Sequence, residues 1–396
     1  MERIERSNQQ MIIGIPKEIM HDEARVSATP ESVKNYVEAG HQVLVEHNAG
    51  VGALHVDEEY IAAGATVVDT AQEVYDGAEL ILKVKEPLFN EQTGKHEVDM
   101  MHEGQKLITF IHPAAPINHE MVKNLAKAGV TSLSIEGVPR ISRAQNMDAL
   151  TSMSTCAGYK GMIMATSDLE KFMPMMPTAA GMIPPCKVLV IGVGVAGLQA
   201  LATAKRLGAV TYASDIRPAA MEQATSLGAK AIETGVAPEL AIGEGGYALT
   251  LPEDVLEAER AKIAAVLPEM DVVFLSALVP GCLAPNLITE DMVKTMKRGS
   301  VIVDIAIDQG GNCEITDPGV KSEKHGVIIE GIKNIPGMLA TSSTYMYSAN
   351  MCNLVTYLTH DGELQLDESD DIVSGMLTTK DGKVVHAGAL AAMGGE

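Results

Sequence analysis

The sequence lacks an excess of basic residues. Its 396 residues include 30 lysines and arginines against 52 aspartates and glutamates, which gives a formal net charge of −22. A protein that binds nucleic acid needs a basic face to neutralise phosphates, and no segment of this chain provides one. We therefore expect no nucleic-acid partner.

Cysteines are also few, and their spacing fits neither a disulfide framework nor a zinc site. The five are Cys156, Cys186, Cys282, Cys313 and Cys352, an odd number with no Cys-x-x-Cys pair. Disulfide frameworks and zinc sites need paired or closely spaced thiols. We predict reduced thiols in a cytoplasmic protein that has no metal site.

Hydrophobic segments long enough to cross a membrane are missing as well. Residues 1–10 are polar and charged, unlike a secretory signal, and the longest apolar run, residues 188–204, is short for a span. We expect no direct membrane insertion, so a partner would supply any membrane-spanning part. The 46% hydrophobic content indicates a globular chain, long enough for two or three domains.

A glycine-rich turn follows a predicted buried strand near the middle of the chain. Residues 187–191 are apolar and lead directly into Gly192, Gly194 and Gly197, spaced as Gly-x-Gly-x-x-Gly before a predicted helix at residues 198–207. Gly192 would permit the tight turn, Gly194 would let the backbone approach a pyrophosphate, and Gly197 would let the helix pack on the strand. This order of features predicts a dinucleotide site better than it predicts a merely glycine-rich turn.

The two ends of the dinucleotide have predicted partners in the same segment. The diphosphate would lie on the amides at the start of the helix, at Val195, Ala196 and Gly197. A second predicted strand, residues 210–213, is followed by Asp215, which is placed to accept from the adenosine ribose. A carboxylate there repels a 2′-phosphate, so we expect NAD(H) rather than NADP(H) as cofactor. Arg217 weakens that preference slightly.

Strand and helix patterns alternate along the chain, which is typical of an α/β protein with parallel sheets. Predicted strands cover residues 11–16, 42–46, 80–84, 107–111, 131–135, 272–275, 300–303 and 326–329. Predicted helices start after Thr29 and cover residues 118–128, most of 148–185, and 345–358; residues 239–248 are a predicted mobile loop and Asp381-Gly382 a hairpin turn. We predict two Rossmann-like, doubly wound domains. Residues 11–147 with 345–396 would form the substrate domain, completed by the C-terminal segment, and residues 148–344 the NAD(H)-binding domain.

Four polar residues lie just beyond predicted strands, where α/β proteins place their chemistry: Arg25, Lys85, His112 and Asp308. Arginine and lysine can bind a carboxylate. A histidine can exchange a proton near neutral pH, and an aspartate can orient it or a water molecule. Each residue alone is more often a solvated or structural side chain. Together with NAD they are the groups needed to oxidise a C–H bond beside a carboxylate.

Nearly the whole chain resembles the alanine dehydrogenase and pyridine nucleotide transhydrogenase family. Residues 138–148 resemble the loop of the transhydrogenase NAD(H)-binding subunit that holds the nicotinamide end of the cofactor. The resemblance implies that Arg140, Gln145 and Asp148 hold the nicotinamide here. It also implies that Tyr247, in a mobile loop, contributes to cofactor binding.

Other segments resemble alanine dehydrogenases: residues 83–87 (Lys-Val-Lys-Glu-Pro), 109–112 (Thr-Phe-Ile-His), 304–311 (Asp-Ile-Ala-Ile-Asp-Gln-Gly-Gly) and 343–345 (Ser-Thr-Tyr). This resemblance implies that Arg25 and Lys85 bind the substrate carboxylate and carbonyl. His112 and Asp308 would be the acid–base pair. The chain departs from the pattern at one point, because Asn350 falls one position after the expected asparagine.

The leading interpretation is an NAD-dependent enzyme, similar to alanine dehydrogenase, that reversibly converts a small L-amino acid to a 2-oxo acid. The alternative is the NAD(H)-binding alpha subunit of a proton-translocating NAD(P) transhydrogenase, which passes hydride to NADP on a partner subunit. A third interpretation is a non-catalytic NADH-sensing protein. A homo-oligomer is expected, either a dimer or a hexamer. The substrate side chain and the reaction direction stay open.

Overall fold

The structure is a computed structural model that describes residues 11–243, 248–279 and 283–394. The chain divides into two compact units. The terminal unit comprises Met1–Met153 with Gly337–Glu396, and the central unit comprises Ser154–Pro336. The predicted domain boundaries were at residues 147/148 and 344/345, so each unit boundary lies a short way along the chain from the predicted one.

The strands of the described residues are short and spread over the whole chain. In chain order they are β1 (Ile12–Ile15), β2 (Gln42–Glu46), β3 (Thr66–Val68), β4 (Leu80–Leu82), β5 (Phe89–Asn90), β6 (Lys95–His96), β7 (Lys106–Thr109), β8 (Thr131–Ser134), β9 (Met176–Thr178), β10 (Gly181–Ile183), β11 (Lys187–Ile191), β12 (Val210–Ser214), β13 (Lys230–Ala231), β14 (Val272–Leu275), β15 (Val301–Asp304), β16 (Lys321–Lys324), β17 (Val327–Glu330), β18 (Thr359–His360), β19 (Glu363–Leu364), β20 (Leu377–Lys380) and β21 (Lys383–Val384).

Helices connect most of these strands. They are α1 (Pro30–Glu38), α2 (Asp57–Ala62), α3 (Ala71–Gly77), α4 (His119–Lys127), α5 (Ala149–Asp168), α6 (Val195–Arg206), α7 (Pro218–Ser226), α8 (Pro238–Ala241), α9 (Glu253–Val266), α10 (Glu290–Val293), α11 (Ala340–Leu358), α12 (Asp371–Met376) and α13 (Ala387–Ala392).

The terminal unit contains an eight-stranded sheet in the order β21-β20-β8-β7-β4-β1-β2-β3. The six strands from β8 to β3 are parallel, and β20 joins the edge antiparallel to β8. The C-terminal segment therefore completes the sheet of the N-terminal segment, as predicted. The turn between β20 and β21 holds Asp381 and Gly382, both with positive φ, which confirms the predicted hairpin.

The central unit contains a seven-stranded sheet in the order β13-β12-β11-β14-β15-β17-β16. When its six parallel strands (β11, β12, β13, β14, β15 and β17) are numbered 1 to 6 along the chain, they lie in the sheet in the order 3-2-1-4-5-6 of a doubly wound dinucleotide fold. The six parallel strands of the terminal unit (β1, β2, β3, β4, β7 and β8), numbered in the same way, lie in the same order. Strands β14 and β15 are buried along their whole length, since helices cover both faces. The predicted fold class is confirmed. In each unit, ligand chemistry is expected beyond the carboxyl ends of the strands.

Most elements agree with the sequence patterns, although α8 extends into the loop expected at residues 239–248 and α11 begins at Ala340 rather than at residue 345. Predicted strands are confirmed with ends shifted by at most about two residues. Thr29 caps α1, accepting from the Ser32 amide, with proline at the first helical position. The prediction that residues 148–185 are mostly helical is wrong beyond Asp168. Prolines in the rest of that segment cannot continue a helix, and it forms the β9–β10 hairpin instead.

Candidate active site

The glycine turn lies between β11 and α6, and two of its glycines are required by packing. Gly192 has φ +83°, and a Cβ there would lie 2.5 Å from the Ala277 amide nitrogen. A Cβ on Gly197 would lie 2.1 Å from the Gly192 carbonyl oxygen. Gly194 differs, because nothing lies within 4 Å of the position that its Cβ would take. Space is therefore open beside the backbone at Gly194.

The start of α6 fits a diphosphate. Gly194 caps the helix without any side-chain hydrogen bond, and the Leu198 amide donates to the Gly194 carbonyl oxygen over 2.8 Å. The amides of Val195, Ala196 and Gly197 precede this bond, so the helix itself does not use them. Free amides, the positive end of the helix dipole and open space at Gly194 are the features that bind a pyrophosphate.

Asp215 follows β12 and lies next to the glycine turn, where the ribose carboxylate was predicted. Its side chain is only 4% exposed. The Val193 amide donates to its Oδ2 atom over 2.6 Å, which ties the acid to the turn. Arg217 donates to the same carboxylate through its backbone amide, Nε and Nη2, over 2.8, 2.9 and 2.7 Å. This hydrogen bonding raises the pKa of Arg217 above its ordinary value.

In the terminal unit, Arg25 is buried beyond the end of β1. It is 3% exposed, and its Nε and Nη2 atoms donate to both carboxylate oxygens of Glu23 over 2.7 and 2.5 Å. Its Nη1 atom lies 2.9 Å from the Met153 Sδ atom. These contacts fix the plane of the guanidinium in the interior of the same unit.

Two lysines follow β4, and the structure gives them different surroundings. The Lys83 ammonium is fully buried, 3.2 Å from Glu18 and 2.9 Å from Glu97. Lys85 is partly exposed, and its carbonyl oxygen accepts from the Thr109 hydroxyl over 2.8 Å. Burial raises the pKa of Glu18 to about 7 even though Lys83 lowers it. Lys83 is therefore paired with carboxylates in the interior, whereas Lys85 is partly exposed.

His112 lies just beyond β7, in a backbone conformation that few residues adopt. Its φ is +48°, in the left-handed region. The His112 amide donates to Glu136 Oε1 over 2.5 Å, and the ring Nδ1 atom lies 3.3 Å from the same oxygen. The ring also stacks on Phe110, with centroids 5.7 Å apart. Glu136 thus holds both the backbone and the ring of His112.

The charges around His112 set its proton affinity. Burial lowers the pKa of His112, but the charge and hydrogen bond of Glu136, aided by Glu86, raise it above the ordinary value. The charge of Lys85 opposes this rise, so Lys85 acts on the same ring. Burial raises the pKa of Glu136, but His112 and Ser134 lower it to about 2. Glu136 is therefore ionised at neutral pH and stabilises a protonated His112.

Glu136 is a residue that the sequence reasoning missed. It lies two residues beyond the end of β8, much as Lys85 and His112 lie three residues beyond the ends of β4 and β7. The rule that chemistry gathers at the carboxyl ends of parallel strands would have found it. Of the predicted residues in the terminal unit, Lys85 and His112 follow the paired strands β4 and β7, and the charge of Lys85 lowers the pKa of His112; Glu136, after β8, is the third member of this cluster.

Asp308 lies in the central unit, in a short 3₁₀ helix (Ile307–Gln309) after β15. Its side chain is 60% exposed, with the Lys333 ammonium 3.8 Å away. The buried Asp304 folds this loop by accepting from the amides of Asn312 and Cys313 over 2.9 and 3.0 Å. The expected pairing of His112 with Asp308 joins residues of two different units and stays a prediction.

The loop expected to hold the nicotinamide belongs to the terminal unit, where residues 142–147 form a 3₁₀ helix. Arg140 and Gln145 are exposed. Asp148 caps the start of α5, because it accepts from the amide and hydroxyl of Thr151 over 2.8 and 2.6 Å. Tyr247, the fourth residue expected to contact the cofactor, lies outside the described residues.

Asn350 anchors that loop. Its Nδ2 atom donates to the Asn146 carbonyl oxygen over 2.9 Å, and Asn353 donates to the same oxygen over 3.1 Å. The Asn350 Oδ1 atom is buried and has no hydrogen-bond partner among the described residues. The asparagine that departs from the alanine dehydrogenase pattern therefore positions the segment between Arg140 and Asp148.

Two doubly wound units, one with a dinucleotide turn and the other with a histidine–carboxylate–lysine cluster, define a dinucleotide-dependent oxidoreductase. The N-terminal domain of the family described as Alanine dehydrogenase/PNT matches residues 14–157, and its C-terminal domain matches residues 161–387. The chain belongs to this family, in which PNT stands for pyridine nucleotide transhydrogenase. It is an NAD(H)-dependent oxidoreductase.

Similar proteins come from both branches of the family. The NAD(P) transhydrogenase alpha subunit of Rhodospirillum rubrum, in its first portion, is 44% identical over 379 residues, which cover 95% of this chain and 98% of that protein. Alanine dehydrogenase of Methanococcus maripaludis is 34% identical over 385 residues, 95% of either protein. A solved transhydrogenase structure from Sinorhizobium meliloti has a TM-score of 0.82 at 39% identity, covering 94% of this chain and 100% of that one.

Among the residues that the structure describes, no helix is both long and apolar enough to cross a membrane.

Proposed function

We propose that this protein catalyses the reversible, NAD(H)-dependent oxidative deamination of a small L-amino acid to a 2-oxo acid. One observation carries the proposal. His112 is held by the ionised Glu136 beside the charge of Lys85, at the carboxyl ends of neighbouring strands. A subunit that only passed hydride to a second nucleotide would have no small acid to bind and no proton to exchange with it.

Substrate binding is assigned to Arg25 and Lys85. Glu23 fixes the guanidinium plane of Arg25, which suits a planar carboxylate better than a mobile cation would. Lys85, unlike Lys83, is not enclosed by carboxylates and lies close enough to His112 to change its pKa. We assign to it, together with Arg25, the substrate carboxylate and carbonyl.

His112 is the proposed acid and base. Because Glu136 raises the pKa of His112, a substantial fraction of the imidazole is protonated near neutral pH and can donate to a substrate oxygen or nitrogen. In the reverse direction the neutral ring accepts that proton. Asp308 is proposed to orient water or ammonia. The bound NAD(H) supplies the hydride chemistry, while the protein supplies orientation and charge.

The test is NADH oxidation by the purified chain alone, with ammonium and a panel of 2-oxo acids that begins with pyruvate. Turnover that requires both ammonium and an oxo acid supports the proposal and identifies the substrate class. Tight NADH binding without turnover on any member of the panel would contradict it.

A second candidate is the NAD(H)-binding alpha subunit of a proton-translocating transhydrogenase. It is supported by the 44% identity to the Rhodospirillum rubrum subunit and by the loop of residues 138–148. Its test is NADH-dependent reduction of an NADP analogue after addition of purified membrane-spanning and NADP-binding subunits. Hydride transfer that needs those subunits and ignores ammonium would favour this candidate over the dehydrogenase.

We further propose that the protein is a cytoplasmic homo-oligomer. The five cysteines are odd in number and include no Cys-x-x-Cys pair, which suits a reducing compartment. Light scattering after size-exclusion chromatography measures the assembly directly. A dimer is expected for an assembly of the transhydrogenase type and a hexamer for one of the alanine dehydrogenase type, whereas a monomer would contradict the proposal.

A further inference from the structure

The carboxylate of Asp215 is fully occupied by donors from its own chain. A carboxylate offers about four acceptor positions, two on each oxygen. Oδ1 accepts from the backbone amide and Nε of Arg217, and Oδ2 accepts from Nη2 of Arg217 and from the Val193 amide. The ribose of a dinucleotide therefore finds no vacant acceptor on Asp215 until the Arg217 side chain moves away.

The same contacts change the charge that a cofactor meets. The Arg217 guanidinium cancels the charge of Asp215, the group expected to repel a 2′-phosphate. A second buried carboxyl, Glu259 on α9, interacts with Asp215, and burial together with that charge raises the pKa of Glu259 to about 7. Near neutral pH the cluster of Asp215, Arg217 and Glu259 thus carries much less negative charge than its two acids suggest.

We propose that Arg217 is a specificity-determining residue, which competes with the ribose for Asp215 and lowers the preference of the site for NAD(H) over NADP(H). NADH must displace the guanidinium from Asp215 to reach the acceptor atoms. NADPH would offer the displaced guanidinium a phosphate, which arginine binds through two parallel hydrogen bonds. The Arg217 side chain is 23% exposed, so part of it reaches solvent.

The two hydrogen bonds to Asp215 from backbone amides do not depend on the arginine side chain. The Val193 amide and the Arg217 amide hold the carboxylate in place in either arrangement. Removal of the guanidinium should therefore leave Asp215 correctly oriented, with acceptor positions open to the ribose hydroxyls and its negative charge exposed to a 2′-phosphate.

The test compares dissociation constants of NADH and NADPH, measured by nucleotide fluorescence on the full chain without substrate. The variants are Arg217→Gln and Arg217→Lys, and Arg206→Gln at the exposed end of α6 is the matched control for loss of one positive charge. We expect Arg217→Gln to raise the ratio of the NADPH to the NADH dissociation constant at least tenfold, with NADH bound as tightly as by the wild type or tighter. Arg217→Lys keeps the positive charge but lacks the planar guanidinium, so its ratio of the NADPH to the NADH dissociation constant should lie between those of the wild type and Arg217→Gln.

Two results would overturn the proposal. One is a ratio in Arg217→Gln within about twofold of the wild-type ratio. The other is an equal loss of affinity for both nucleotides, which would make Arg217 a general binding residue. Unfolding midpoints of all variants identify any that fail to fold, and Arg217→Lys then decides the outcome. Because only cofactor binding is measured, failure of this proposal leaves the proposed dehydrogenase reaction untouched.

Discussion

At the scale of single residues, the chemistry of the terminal unit centres on His112. Its ring is placed by one carboxylate, Glu136, which also accepts from its backbone amide. The left-handed backbone of a non-glycine residue is a strained arrangement that the surroundings must maintain. The imidazole of His112 is therefore attached to a strained backbone, held by the Glu136 carboxylate and influenced by the charge of Lys85.

Replacing the imidazole tests its role directly. His112→Ala should reduce dehydrogenase turnover at least a hundredfold, the contribution typical of a general acid or base. NADH affinity should stay within about twofold of the wild type, since the cofactor turn lies in the other unit. Steady-state rates and nucleotide fluorescence measure the two quantities. Loss of turnover and NADH binding together would contradict the proposed role.

Glu136→Gln separates positioning from catalysis. Glu136 raises the pKa of His112 against the lowering by burial, so its removal should shift the His112-dependent limb of the pH–rate profile toward lower pH. Glu120→Gln, an exposed acid on α4, is the control and should leave the profile in place. A rate that falls equally at every pH, without a shift, would mean that Glu136 has only a structural role.

At the scale of elements, the turn between β11 and α6 is the clearest feature. The sequence pattern predicts both its glycines and the acid after β12, because strand, turn and helix are local and leave a regular trace. The structure adds a distinction that the pattern does not contain. Gly192 and Gly197 are required by packing, whereas Gly194 borders open space.

Two alanine substitutions in that turn should therefore fail in different ways. Gly194→Ala should fold with an unchanged unfolding midpoint but bind NADH at least tenfold more weakly, because the added methyl group fills the space for the diphosphate. Gly197→Ala should lower the unfolding midpoint, since its Cβ would lie 2.1 Å from a carbonyl oxygen. Calorimetry and nucleotide fluorescence distinguish the two effects. Normal NADH binding by Gly194→Ala would contradict the location of the diphosphate.

Other elements show why sequence patterns do not predict the side-chain contacts of the candidate site. The run of residues 83–87 contains two lysines, and no local pattern tells that Lys83 is enclosed by Glu18 and Glu97 while Lys85 acts on His112. The contact between His112 and Glu136 joins residues after two different strands, and the register of β7 and β8 sets it. Such contacts are determined by tertiary packing, which single-sequence periodicity does not encode.

At the scale of the whole molecule, three buried glutamates share one property. Burial raises the pKa values of Glu18, Glu259 and Glu330 to about 7, and in Glu330 a hydrogen bond with Asp168 adds to the rise. A carboxyl whose pKa is higher in the folded than in the unfolded state stabilises the fold fully below the unfolded value of 4.5. That contribution is lost as the pH rises through about 7.

The free energy of unfolding should accordingly decrease between about pH 5 and pH 8. Glu330→Gln keeps a donor toward Asp168 and removes one titrating group, so its unfolding midpoint should depend less on pH across that range than the wild-type midpoint does. Glu323→Gln, an exposed acid on the neighbouring strand β16, is the control. The account of this carboxyl pair would be wrong if Glu330→Gln showed the same pH dependence as the wild type.

The fold does not separate the two branches of the family, because the chain resembles members of both along nearly its full length. The question that separates the two branches is whether the cluster of Lys85, His112 and Glu136 acts on a small acid. The most direct measurement is the rate of NADH oxidation by the chain alone with ammonium and each 2-oxo acid of a panel that begins with pyruvate, with His112→Ala measured beside it. We predict turnover that requires ammonium and that the substitution removes. Oxidation that is absent, or that is indifferent to both ammonium and His112, would contradict the proposed dehydrogenase.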